Sequence, residues 1–189
     1  MEKLRILIGD NEEEFLTYLS SMLNLLGYDV IGTDTSGTGL IRKIKNLSPQ
    51  VVIADCSLRG MSGFEISDIV ERGGICPCII TFKNSPYEYE LKLQQKIIYA
   101  YVQKPVNPGT IGYIIESAYF NFKRITQLDR KLCERKVLEK AKGMLMKRYG
   151  FSEEKAYEYI KKKSMDKGVP AFKIAKTIIE IIQNKEEET

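Results

Sequence analysis

Several ionic or amide side chains in this sequence follow closely on short apolar runs. Asp10 and Asn11 come after Ile6-Leu7-Ile8, Asp55 comes after Val51-Val52-Ile53-Ala54, and Lys104 comes after Tyr101-Val102. Any one of them alone reads as an ordinary turn residue. Gathered at one point, two carboxylates and an amide form an oxygen-rich pocket that suits Mg2+ better than zinc. A lysine beside them can hold an anionic phosphoryl group, and the metal would offset the charge at an aspartate nucleophile. The sequence has no histidine. That removes Ser-His and Cys-His nucleophile pairs, histidine general bases and histidine metal sites. The four cysteines, Cys56, Cys76, Cys78 and Cys133, have no zinc-site spacing and need no disulfide in a cytosolic chain. With no other catalytic group standing out, a free-standing enzyme is not expected.

Positioning these groups requires a particular fold. The apolar runs Leu4–Ile8, Tyr28–Ile31, Val51–Ala54, Ile79–Phe82 and Tyr99–Val102 read as five strands. Amphipathic stretches lie between them, with Phe15, Leu19, Met22 and Leu23 on the first and Leu40, Ile41, Ile44 and Leu47 on the second. Gly27 stops the first helix. Strands alternating with helices imply an α/β fold with a doubly wound parallel five-stranded sheet, whose sites lie beyond the carboxyl ends of the strands.

From Pro108 onward only helical patterning appears. Ile111, Ile115, Ala118, Phe122, Ile125, Leu128 and Leu132 keep spacings of three and four, which fits one long helix seeding a dimeric coiled coil. A small three-helix domain follows. Its first helix holds Val137, Leu138, Ala141, Met144 and Leu145 and ends at Gly150, its second runs from an N-cap at Ser152 to Gly168, and its third opens at Pro170. The expected organisation is residues 1–120, a helical linker at 121–134, and a helical domain at 135–189. The formal charge of +4 hides an asymmetry: residues 1–120 carry a net −3 and residues 121–189 a net +7. The second part is therefore expected to meet a polyanion. No apolar run approaches the roughly 18–20 residues of a membrane span, and the N-terminus lacks signal-peptide anatomy, so a cytoplasmic location is expected.

Residues 3–120 resemble the receiver domain of two-component response regulators. The resemblance rests on RILIGDNEEEF, VVIADCSLRGMSGFE and AYVQKP. It implies a flavodoxin-like fold, Asp55 as the phosphoacceptor, and a sensor histidine kinase as partner. It also implies Mg2+ held by Asp10, Asn11, Asp55 and the carbonyl of Ser57, Lys104 on the phosphoryl group, and Tyr101 at the aromatic switch position. Two departures stand out. The second acid of the first strand is here Asn11. The switch hydroxyl of the fourth strand falls, counted from Pro77, on Phe82, with Thr81 one residue early and so facing the other side unless the strand adjusts.

Residues 135–182 resemble the ANTAR domain of transcription antitermination regulators. The resemblance rests on Ala141-Lys142-Gly143-Met144-Leu145-Met146, Gly150-Phe151-Ser152-Glu153-Glu154-Lys155-Ala156 and Lys163-Ser164-Met165. It implies binding to paired RNA hairpin loops in leader transcripts, and the apolar stripe from Ile111 to Leu132 leads to the expectation of a homodimer when active. Ala141, Lys142, Gly143, Lys147, Arg148 and Lys163 are the candidate RNA contacts, since clustered Lys/Arg supplies phosphate affinity. Gly143 in mid-helix implies a close approach, either to RNA or to a neighbouring helix. A DNA-binding tail is the alternative, and a basic adaptor for an acidic protein is a third class; binding to hairpin RNA against duplex DNA separates them.

Overall fold

The computed structural model describes residues 3–83 and 99–187, with side chains as far as residue 184. The chain divides into two compact units, Met1–Ile125 and Thr126–Thr189. In the first unit β1 (Arg5–Gly9), β2 (Asp29–Asp34), β3 (Val51–Asp55), β4 (Cys78–Phe82) and β5 (Ala100–Gln103) form a five-stranded sheet in the order β2-β1-β3-β4-β5. Every pairing is parallel. The helices described are α1 (Glu13–Leu25), α2 (Gly37–Leu47), α3 (Gly63–Arg72), α4 (Pro108–Tyr149), α5 (Glu153–Lys167) and α6 (Ala171–Glu187).

Strand alternation sorts the sheet residues between two cores. Ile6, Ile8, Val51, Ile53, Ile79 and Val102 pack with Leu19 and Leu23 of α1 and with Ile111 and Ile115 of α4. Leu7, Val52, Ala54, Cys78 and Ile80 pack with Leu40 and Ile44 of α2 and with Ile66 and Val70 of α3. Both faces of the central strands are thus covered, which is why β3 is apolar from Val51 to Ala54. Each large aliphatic side chain so buried contributes about 1.5–3 kcal/mol of transfer free energy.

The first part of the apolar stripe assigned above to a coiled coil is consumed by this core. Ile111, Ile115, Ala118 and Phe122 are all buried. A core contact and a helix–helix seam share the same three-and-four spacing, so the pattern did not separate them. Ile125, Leu128 and Leu132 remain exposed on α4.

In the second unit Ala141 and Leu145 of α4, Ala156 and Ile160 of α5, and Ile174, Ala175, Ile179 and Ile182 of α6 form one core. Ser152 caps α5 by accepting from the Lys155 N–H at 3.2 Å. Gly168 closes that helix at φ 62°, a left-handed conformation that a side chain would strain.

Candidate functional site

The sheet switches winding direction between β1 and β3, and Asp10 and Asp55 stand at the carboxyl ends of those two strands. Asp10 continues the alternation of Ile6 and Ile8, Asp55 that of Val51 and Ile53, and Lys104 that of Val102. All three therefore leave the sheet on one side, at the edge where doubly wound folds place ligands. Asp10 and Asp55 are 1% and 5% exposed. Lys104 Nζ donates to Asp10 Oδ2, and to Asp55 Oδ2 at 2.5 Å. Asp55 Oδ1 accepts from the backbone N–H and the hydroxyl of Ser57, both at 2.8 Å. Lys104 also lies 4.4 Å from the centre of the Phe15 ring. Burial raises the pKa of Asp10 despite the Lys104 and Glu12 hydrogen bonds. Burial alone would lower Lys104, but its hydrogen bonds and charge attraction to the two carboxylates outweigh that and raise it. Two acids share one ammonium, so the cluster retains a net negative charge and favours a further cation.

Of the two β4 positions left open by the sequence, Thr81 and Phe82, the register places Thr81 beside the cluster. Thr81 pairs with Asp55 across β3 and β4 and shares the alternation of Ile79, so its side chain joins Asp10, Asp55 and Lys104. Phe82 packs instead against the opposite core with Tyr101. Thr81 is 1% exposed, and its hydroxyl finds no hydrogen-bond partner among the described residues. A buried hydroxyl left unpaired is costly, and a phosphoryl oxygen on Asp55 would satisfy it. Burial, and then the charge of Glu71, push Tyr101 up to about 12.

Asn11 and Ser57 come together as expected, but through a direct contact. Asn11 Nδ2 donates to the Ser57 carbonyl at 2.7 Å, and the Arg59 N–H donates to Asn11 Oδ1 at 3.0 Å. Gly63 closes the loop that follows: a Cβ there would stand 2.5 Å from the Asp55 carbonyl oxygen. Asp10, Asp55 and the Ser57 carbonyl are hard oxygen donors, a set that fits Mg2+. No group of three His, Cys, Asp or Glu side chains suited to a metal occurs among the described residues, so a cation here would lean on backbone carbonyl and water.

The candidate RNA residues separate into two groups. Ala141 is wholly buried in the second core, which removes it as a contact. Lys142 is 9% exposed and is held by Glu139 at 2.9 Å and Glu153 at 2.8 Å. Hydrogen bonds to Glu153 and Glu139 raise its pKa. It joins α4 to the start of α5, and its charge is paired there with two exposed carboxylates. Gly143 is exposed, and a Cβ added to it would meet nothing within 4 Å. Packing against a neighbouring helix of the described chain therefore does not explain it. Lys136, Lys140, Gly143 and Lys147 are all exposed at spacings of four, three and four, which places them on one face of α4. Lys136 was missed from sequence, although the same spacing extends to it. Arg148 is exposed, and Lys163 lies 5.9 Å from the centre of the Tyr159 ring.

A further ionisable group lies away from both sites. Glu71 accepts from the Cys78 N–H at 3.3 Å, and its other oxygen is buried with the Ser67 hydroxyl as its neighbour. Burial pushes its pKa from 4.5 to about 7. The folded state thus holds a proton that the unfolded state has lost. Its contribution to stability is full below pH 4.5 and is lost as pH rises through about 7. After discounting for solvent screening, Glu71→Gln should be more stable than wild type by about 1–2 kcal/mol at pH 8 and no more stable at pH 4.5. Urea melts at the two pH values check this, and an equal difference at both would refute it.

Comparison with known proteins places two families on the chain. The model of the response regulator receiver domain matches residues 6–116, and that of the ANTAR domain matches residues 126–179. The transcriptional regulatory protein PdtaR of Mycobacterium tuberculosis is 25% identical over 185 residues, covering 94% of this chain and 90% of that protein. The signal receiver domain of a modulated diguanylate cyclase from Desulfovibrio desulfuricans superposes with a TM-score of 0.60 at 26% identity, over 65% of this chain and 98% of that one. The receiver domain of a sensor histidine kinase from Pseudomonas aeruginosa, solved with magnesium coordinated in its active site cleft, gives 0.55 at 20% identity, over 62% of this chain and 98% of that one. That last likeness shows the fold alone.

Proposed function

The chain belongs to the response regulator receiver family and carries an ANTAR domain behind the receiver, and from that premise we propose that phosphorylation of Asp55 switches its activity. It is a response regulator that controls gene expression by RNA binding and transcription antitermination. The ANTAR match occupies the region where a DNA-binding tail would otherwise stand, so that alternative is not favoured. Neither matched family is a family of enzymes.

The observation that carries the switch is the convergence of Asp55, Lys104 and an unpaired Thr81 hydroxyl at one sheet edge. An Asp55 carboxylate oxygen attacks the phosphorus of a phosphohistidine on a sensor histidine kinase. The new O–P bond forms as the P–N bond breaks, and the electron pair of that bond stays on the imidazole. Lys104 then meets a phosphoryl oxygen, and the Thr81 hydroxyl donates to another. Asp10, Asp55 and the Ser57 carbonyl would hold Mg2+, which when bound neutralises charge on the transferred group. No helix among the described residues is long and apolar enough to cross a membrane. A cytoplasmic site of action accords with two-component signalling.

The proposed output stage is a homodimer. Ile125, Leu128 and Leu132 are exposed at spacings of three and four on α4, and a second copy would cover them. Two linked RNA-binding units on paired hairpins gain affinity through effective concentration. Full-length protein treated with a small phosphodonor and Mg2+ should become dimeric by light scattering. At matched salt it should then bind a two-hairpin RNA at least about tenfold more tightly than duplex DNA. A monomer under both conditions removes the dimer, and preference for duplex DNA removes the RNA reading.

A further inference from the structure

Asn11 joins two backbone groups of the loop behind Asp55. Its Nδ2 donates to the Ser57 carbonyl at 2.7 Å, and its Oδ1 accepts from the Arg59 N–H at 3.0 Å. The same residue, Ser57, is tied to the acidic cluster, since its N–H and hydroxyl both donate to Asp55 Oδ1 at 2.8 Å. A carboxamide and a carboxylate have the same shape but opposite consequences here. The amide presents an N–H to the carbonyl and satisfies it directly. A carboxylate at the same place would bring an oxygen against that carbonyl, an arrangement that holds only with a cation between them.

We propose that the Asn11 carboxamide stands in for a metal ion at the Ser57 carbonyl, ordering the loop at 57–59 without magnesium and competing with magnesium for that oxygen. The inference rests on the reading of Asp10 and Asp55 as the metal and phosphoryl site. Asn11 is then a positioning residue that sets a high magnesium threshold for the receiver, and it is not a magnesium ligand. Removing the competitor frees a ligand, so the affinity rises although no donor oxygen has been added.

The test is magnesium binding by titration calorimetry with MgCl2 alone, together with thermal melting in a chelator, on the full chain. Asn11→Ala should bind magnesium about three- to tenfold more tightly than wild type, the ratio that one net hydrogen bond confers. It should also melt earlier than wild type in the chelator. Asn11→Asp should bind at least about tenfold more tightly, since it adds ligand charge. Its melting should depend on magnesium, whereas that of wild type barely moves. If Asn11→Ala binds magnesium as wild type does, or more weakly, Asn11 is a spectator or a ligand and the inference is overturned. The same holds if Asn11→Ala melts like wild type in the chelator. If Asn11→Asp takes up no magnesium, the reading of the site itself fails, and the inference with it.

Discussion

Asp55→Ala should take up no phosphoryl label from a small phosphodonor and Mg2+ under conditions that label wild type fully. Among the described residues, the acids on the Lys104 ammonium are Asp10 and Asp55. Asp10 is the other acid of the cluster, so the loss of label in Asp55→Ala also tests whether Asp10 can take over as nucleophile. The variant should remain folded, because Lys104 keeps Asp10 as its partner. Lys104→Met is the instructive contrast. It leaves two buried carboxylates with no shared cation, and breaking a buried pair in this way costs about 3–5 kcal/mol. Lys104→Met should therefore lose stability as well as labelling, whereas Asp55→Ala loses labelling alone. Mass spectrometry of the intact protein and its peptides, beside a denaturant melt of each variant, checks both claims. A label that persists in folded Asp55→Ala would identify another acceptor and remove Asp55 from the mechanism.

The strand-end residues were legible in the sequence because each sits at the end of an apolar run, and a parallel sheet aligns such ends. The partner of Asp55 on β4 was not legible, for a physical reason. Register is set by pairing between strands, and Val52 pairs with Cys78, which puts Thr81 rather than Phe82 opposite Asp55. Counting from Pro77 along one strand carries no information about its neighbour, and a slip of one residue reverses the face. The same limit explains Lys142. Its neighbour Glu139 is visible at i−3, but Glu153 belongs to the next helix, and only folding brings it within 2.8 Å. Ala141 failed as a contact for a related reason: the phase of α4 turns it inward while Gly143, two positions on, faces out. The basic character of the second unit was plain from composition. The face that presents it required the helix phase.

Gly143→Ala should raise stability and lower RNA affinity together. Glycine in a helix interior costs about 1 kcal/mol against alanine, and nothing within 4 Å would oppose the added methyl. If packing within the chain were its only role, alanine would be the better residue. Lys136, Lys140 and Lys147 lie on the same exposed face, so an RNA backbone held by these lysines would pass over the glycine, where a bare helix surface permits the nearest approach. A methyl group at that point holds the phosphates off, and hairpin binding should fall by at least about tenfold, roughly 1.4 kcal/mol. Lys147→Ala should instead leave melting unchanged and reduce the slope of log affinity against log salt by about one unit, as expected when one phosphate contact is lost. Lys142→Ala should behave in the opposite sense, melting earlier while its salt slope stays near that of wild type, because Glu139 and Glu153 already match its charge. Melting temperature and RNA dissociation constants across a salt series, taken on the same samples, separate the three. If Gly143→Ala melts later and binds the two-hairpin RNA as tightly as wild type, the RNA face is not on this side of α4.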